Sequence, residues 1–384
     1  MQTNDIKGFT AVSSTMNRPS LIELPAVSRI RRGFTLVELL VVIGIIAVLL
    51  GILLPALAAS RESARTIKCA ANLRSIGQGI ATYLAEYKGV FPPSNFYYGT
   101  AISSTGVQTP AQPTQGYVHW SSFLYGATLA PNDSRLQNMN GWEMFQCPEF
   151  DNGGVPPANT YAGNNDDGLS NEAPPVNGQP VIDFQAPRLS YMLNEVLTPR
   201  SVFTANFRNG NPRWYHFVPA SVVSNSSNVI LATEMWGNQA VMVTSSNVSS
   251  NTGEVSNSRR PVSGISASLS NPVLAKPDAP YALPEGTANY FGWATVDKMH
   301  PDAYNWLLAN IASNGSIPGL DTTLDFVGRN HGKLNYGVAG NSTQTGWDMR
   351  RSNFLYVDGH VETKHVADTI YPIDQWGEKF YDLP

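Results

Sequence analysis

Glu38 is the costliest residue in this chain to place. It stands within residues 34–54, a run of 21 that is otherwise apolar apart from Thr35. A carboxylate in hydrocarbon costs at least about 2.5 kcal/mol and needs a partner. No Lys or Arg lies inside the run, whereas Arg29, Arg31, Arg32 and Gly33 stand directly before it. A cut between Gly33 and Phe34 would supply the partner: a free α-amine with a pKa near 8, cationic at neutral pH. That amine would lie one helical turn from its own Glu38, and a neighbouring helix shifted along the axis could offer its amine instead. Pairing between copies would then set the stagger between subunits in a filament.

The run itself has the length of a bilayer span. At about 1.5 Å rise per residue, 21 residues cover the roughly 30 Å hydrocarbon core. A plain anchor explains the apolar run but not Glu38 or the Gly33-Phe34 junction. A secretory signal peptide finds a small-x-small site in Ala56-Leu57-Ala58, but its apolar region is usually about 7–15 residues.

The stretch Arg-Gly-Phe-Thr-Leu-Val-Glu-Leu-Leu-Val-Val-Ile, residues 32–43, resembles the class III signal of type IV pilins and type II secretion pseudopilins. The resemblance implies that a prepilin peptidase cuts after Gly33 and methylates the new N-terminal Phe34. It puts the family's assembly glutamate on Glu38 and its helix-weakening proline on Pro55. It implies assembly with other pseudopilins or with further copies of the chain, in a type II secretion or type IV pilus-like filament.

Charge gives the orientation. The first 33 residues hold five basic and two acidic residues, which leaves 20 basic and 27 acidic after the proposed cut. Positive segments stay on the cytoplasmic side. The expected layout is a cytoplasmic leader at 1–33, a transmembrane half-helix at 34–54, an amphipathic half at 55–90, and a globular domain at 91–384. The anchor would be single-pass in the inner membrane, with the domain periplasmic or at the cell surface. Charged residues make up 14% of the chain, and no basic face with interleaved aromatics points to nucleic acid.

Beyond the span, Leu73, Ile76, Ile80, Tyr83, Leu84 and Tyr87 recur at three- and four-residue steps, an amphipathic stripe. Pro55 removes one helix donor, and Gly89 with Pro92-Pro93 should stop the helix. The expectation is one helix over about 35–88. Short helices are expected near 120–127 and 301–313, and strands over 188–194, 213–219 and 228–236. Residues 353–362 flank Asp358-Gly359 with strand-like runs, a hairpin signal that favours a type I′ turn. The fold class is therefore α+β and pilin-like: a long N-terminal helix packed on a small antiparallel sheet, with long loop insertions.

Asp358-Gly359 also resembles the end of a His-x9-Asp-Gly signature in pilin-like proteins often described as type II secretion G-like. The nearest upstream histidine is His331, and an inserted loop at 333–351 would account for the longer spacing. Residues 68–77 and Phe145-Gln146-Cys147-Pro148 resemble further segments of that subgroup.

The remaining chemistry is sparse. Cys69 and Cys147 are the two cysteines, and the expected compartment is oxidising. A disulfide between them would tie the helix to the loop region; two buried thiols are the alternative. His331, Asp358, His360 and His365 lack zinc-ligand spacing, so no metal site and no cofactor are expected. Asp321, Asp325 and Asp358 are the carboxylates that could hold calcium, as some pseudopilins do, whereas 164–168 reads as a solvated turn. No nucleophile elbow or phosphate loop is present, and the expectation is no enzyme. The competing function is a membrane-anchored surface binding module. Aromatic islands at Tyr97-Tyr98, His119-Trp120 and Trp142 would then take glycans.

Overall fold

The computed structural model describes residues 34–97, 101–102, 108–109, 117–124, 142–156, 185–198, 217–237, 243–245, 254–256, 261–262, 264–268, 290–293, 299–303, 305–307, 309, 323–332, 336–337 and 347–377. The expected cleavage residue Gly33, the turn at 164–168, Asp321, Tyr98 and residues 213–216 lie outside these. The chain falls into two units, Met1–Ala56 and Leu57–Pro384.

In the first unit the described residues are the start of a helix, Leu36–Glu86. The helix runs through Pro55 without a break. Proline removes one intrahelical bond there, and good helix formers on both sides, Leu53, Leu54, Ala56 and Leu57, carry the backbone through. Every residue from 34 to 61 is exposed. Among the described residues, this helix is long and apolar enough to cross a membrane.

In the second unit the same helix buries a stripe. Cys69, Leu73, Ile76, Ile80 and Tyr83 are buried at the three- and four-residue steps expected of one face. Tyr87 is an exception to the expected stripe. It is exposed and stacks on Tyr83, ring centroids 4.2 Å apart. The helix ends where Lys88 and Gly89 take positive φ, and the Gly89 amide donates to the Leu84 carbonyl at 2.7 Å. That bond satisfies a carbonyl the last turn would leave open.

The stripe covers a four-stranded antiparallel sheet. Its order is Val361–Lys364, Ser352–Tyr356, Ile230–Glu234, Tyr191–Leu193. Side chains alternate between faces along a strand, and the Ser352–Tyr356 strand shows how both faces are used. Leu355 meets the helix, close enough that a Cβ on Gly77 would stand 3.0 Å from its Cδ1. Phe354, on the other face, packs edge-on against Trp376, and the Tyr356 hydroxyl lies 2.8 Å from Gln375 Oε1. Both faces are covered, so the two central strands are buried throughout and lack the polar alternation of a half-exposed strand. The protein is α+β and pilin-like in architecture: a long apolar N-terminal helix with a small antiparallel sheet.

The expected hairpin forms, but with a different turn. Leu355 pairs with Val361, and Gly359 donates to the Tyr356 carbonyl at 2.9 Å. Gly359 has φ +92, whereas Asp358 is not among the positive-φ residues. The connection is therefore a type I turn closed by a left-handed glycine, not a type I′ turn. The Tyr356 amide donates to the His360 carbonyl at 2.9 Å, so the loop inside that closing pair is three residues, 357–359, instead of two, and this length selects the turn. The expected strands at 188–194 and 228–236 form as Tyr191–Leu193 and Ile230–Glu234. At 217–219 the chain makes only an isolated bridge, Val90 with Pro219.

Candidate functional site

At the head of the helix, Thr35 and Glu38 satisfy each other. Glu38 Oε2 accepts from the Thr35 amide at 2.9 Å and from the Thr35 hydroxyl at 2.8 Å; the Glu38 amide lies 3.2 Å from Thr35 Oγ1. This is a capping box, with Thr35 at the cap and Glu38 three residues on. The single acid of the apolar stretch thus has a local partner within one copy of the chain. Phe34 is 71% exposed, so the position after the expected cut is open.

A second cluster lies between helix and sheet. Cys69 and Cys147 are joined by a disulfide, Cα atoms 5.2 Å apart across a separation of 78. Asn72, one turn on, brings the Cys147 loop in by donating to the carbonyls of Gln146 at 2.6 Å and Glu143 at 3.4 Å. Glu234, at the end of its strand, is fully buried. His331 Nε2 stands 2.9 Å from its carboxylate, and Asn353 Nδ2 donates to Oε1 at 2.7 Å.

The protonation of His331 follows from its neighbours. The Thr66 hydroxyl donates to the Glu62 carbonyl at 3.1 Å, so the ring Nδ1, 3.1 Å from Thr66 Oγ1, is the donor in that contact. Nε2 lies 2.9 Å from the Glu234 carboxylate and 3.0 Å from Asn353 Nδ2, which cannot accept, so the carboxylate is the group to which it donates. A ring donating at both nitrogens is cationic. Burial alone would lower the His331 pKa; the hydrogen bond and charge of Glu234, with Glu149 and Glu62 beyond, outweigh it and raise the value. Glu149 is itself pushed up, by burial first, with Arg65 at 3.6 Å opposing.

His331 also closes a loop. It exchanges backbone hydrogen bonds with Arg351 at 3.0 and 2.7 Å, so the two ends of the intervening segment are held at one point. The Gly332 amide ties that point to the helix through Glu62 Oε1 at 2.9 Å.

Two other histidines pair with acids elsewhere. Asp358 accepts from the His360 amide at 3.1 Å, and its Oδ1 lies 2.6 Å from His360 Nδ1. Asp325 Oδ2 lies 2.7 Å from His300 Nδ1. Among the described residues, Cys69, Cys147, Glu234 and His331 form the grouping whose donor atoms fall within 4.8 Å of one another. Sequence reasoning missed Glu234. The aromatic islands differ from the expectation of open platforms: His119, Trp120 and Trp142 are buried.

Residues 28–54 match the prokaryotic N-terminal methylation motif. The chain therefore carries a type IV pilin-like or pseudopilin signal, the kind processed by prepilin peptidase, on an apolar helix that fits a single-pass membrane anchor. Such a motif points to a structural protein. No curated protein and no solved structure matches the chain.

Proposed function

We propose that the chain is a structural pseudopilin subunit of a type II secretion or type IV pilus-like filament. Prepilin peptidase would cut after Gly33 and methylate Phe34. The helix would hold the subunit in the inner membrane, leader inward, with the second unit outside. On assembly, the Phe34 amine of one copy would replace Thr35 as the partner of Glu38 in the next. The observation that carries this reading is the helix surface over 34–61: wholly exposed, apolar in its first 21 residues, and interrupted there by one carboxylate. Such a surface suits lipid and then other copies of itself.

The test begins with the N-terminal mass of the membrane-extracted protein. A chain starting at N-methylated Phe34 is expected; one starting at Ala59 would refute the reading. Glu38→Ala is then expected to leave processed monomer in the membrane and to abolish filament incorporation. Normal incorporation of that variant would remove the acid–amine step.

A further inference from the structure

The disulfide is not an ordinary staple, because of what stands beside it. Two sulfurs, one imidazole and one carboxylate converge from four separate elements: the helix (Cys69), the loop after Glu143–Phe145 (Cys147), the Ile230–Glu234 strand (Glu234) and the segment that bridges to Arg351 (His331). All four side chains are buried, and one donor atom from each lies within 4.8 Å of the others. A disulfide needs no charged neighbours to pack, and a buried acid–imidazole pair is often no more stabilising than apolar residues of the same volume. The donor set has another use. Thiolate sulfur, imidazole nitrogen and carboxylate oxygen are the ligand types of tetrahedral zinc, at about 2.0–2.3 Å from the metal. The tetrahedron they define has edges of roughly 3.3–3.8 Å, so the two sulfurs must part from bonding distance, His331 Nε2 and the Glu234 carboxylate must open slightly from 2.9 Å, and the longest separations, up to 4.8 Å, must close.

We propose that, once the Cys69–Cys147 bond is reduced, this cluster is a zinc site with Cys69 Sγ, Cys147 Sγ, His331 Nε2 and the Glu234 carboxylate as its four ligands. The step balances. An external thiol or phosphine reductant supplies two electrons, and two protons complete the two thiols. Zinc binding then releases three protons, one from each thiol and one from the His331 imidazolium. The ligands carry three negative charges and the metal two positive, so the site keeps one net negative charge. Its surroundings already suit a ligating pair. Thr66 accepts the hydrogen bond of His331 Nδ1 and leaves Nε2 for the metal, while Asn353 donates to the Glu234 carboxylate and gives up its 3.0 Å contact with Nε2 when the metal binds. Outer partners of this kind orient metal ligands. The chain would then hold its helix to its sheet by a disulfide when oxidised and by a metal when reduced.

The test uses the full chain in detergent, refolded with a phosphine reductant present throughout, with and without one equivalent of Zn(II), beside the oxidised chain. Native mass spectrometry is expected to find one zinc per reduced chain and none per oxidised chain. Co(II) in place of zinc is expected to give thiolate-to-metal charge-transfer absorption. Cys69→Ser with Cys147→Ser should abolish both signals. His331→Gln and Glu234→Gln should each weaken binding by about ten-fold or more. If the reduced chain folds only when zinc is added, recovery of its near-ultraviolet circular dichroism supports the site; failure to recover it with zinc counts against. Absence of metal from folded reduced protein, equal binding by the oxidised chain, or unchanged affinity in both Gln variants would overturn the proposal.

Discussion

Replacing Glu234 by Gln is expected to reverse the sign with which the stability of the oxidised protein responds to pH. The native carboxylate faces His331 Nε2, Asn353 Nδ2 and, at 3.3 Å each, the Asn353 amide and the Ser352 hydroxyl. The groups facing the ring are Glu234 from the strand, Asn353 from the neighbouring strand, Glu62 and Thr66 from the helix and Glu149 from the loop after Cys147. The three carboxylates raise the folded pKa of His331 above its ordinary value against the effect of burial. A raised histidine contributes stability that is fully present below the unfolded pKa, about 6.5, and is lost as pH rises through the folded value. One proton gives a slope of at most about 1.4 kcal/mol per pH unit. The Glu234→Gln side chain keeps the shape without the charge. Burial, the largest influence on the ring, is then opposed only by the charges of Glu149 and Glu62, and the folded pKa is expected to fall below its ordinary value. The variant should therefore lose stability as pH falls through that region, where the native protein does not. Breaking a buried pair by removing one partner costs about 3–5 kcal/mol, the expected loss near pH 5. Above the folded pKa of His331, with the ring neutral in both proteins, the difference should shrink to that of an ordinary hydrogen bond, about 1 kcal/mol. The assay is urea unfolding of the full chain in detergent, followed by tryptophan fluorescence from pH 5 to 9. Native and variant are compared in a Glu149→Gln background, because Glu149 senses the charges of both His331 and Glu234. A difference that does not change with pH would show that the pair is not ionised, and the protonation argument would fail.

Removing the disulfide by Cys69→Ser with Cys147→Ser frees a loop spanning 78 positions. The chain-entropy estimate for that loop is about 4.5 kcal/mol at 25 °C, and an unfolding free energy within about 1 kcal/mol of native would reject it. At the hairpin, Gly359→Ala meets no atom within 4 Å but must adopt φ +92. It should cost about 1–2 kcal/mol, the left-handed penalty alone. Gly154→Ala should cost distinctly more in the same assay, because its Cβ would stand 2.6 Å from the Leu189 backbone carbon at φ +133; equal costs would contradict the packing. Asn72→Ala should loosen the Cys147 loop by removing the donor to Gln146 and Glu143, and faster disulfide reduction by a phosphine would report it.

The long helix and the terminal hairpin were legible because each signal is local. Apolar residues at three- and four-residue steps define a buried face whatever packs on it, and Asp-Gly between two apolar runs defines a turn. The turn type was not legible. Asp-Gly suits a two-residue type I′ loop, and it also suits a three-residue loop in which the glycine alone is left-handed. The choice belongs to the register of Leu355 on Val361, which no dipeptide reports. The buried cluster lay further from view, since Glu234 and His331 are 97 positions apart and nothing between them announces a partner.

A signal for that cluster was nevertheless present in the two central strands. Ile-Leu-Ala-Thr-Glu turns polar at its end, and Ser-Asn-Phe-Leu-Tyr is polar at its beginning. Antiparallel pairing sets the end of one strand against the beginning of the other. With Thr233 opposite Phe354, the polar ends meet, and Glu234 falls beside Ser352 and Asn353. A carboxylate in the middle of a covered sheet cannot remain unpaired. The polar ends of two apolar strands therefore call for a cation from a third segment, and His331, bridged to Arg351 one residue before Ser352, is the residue that the chain places there.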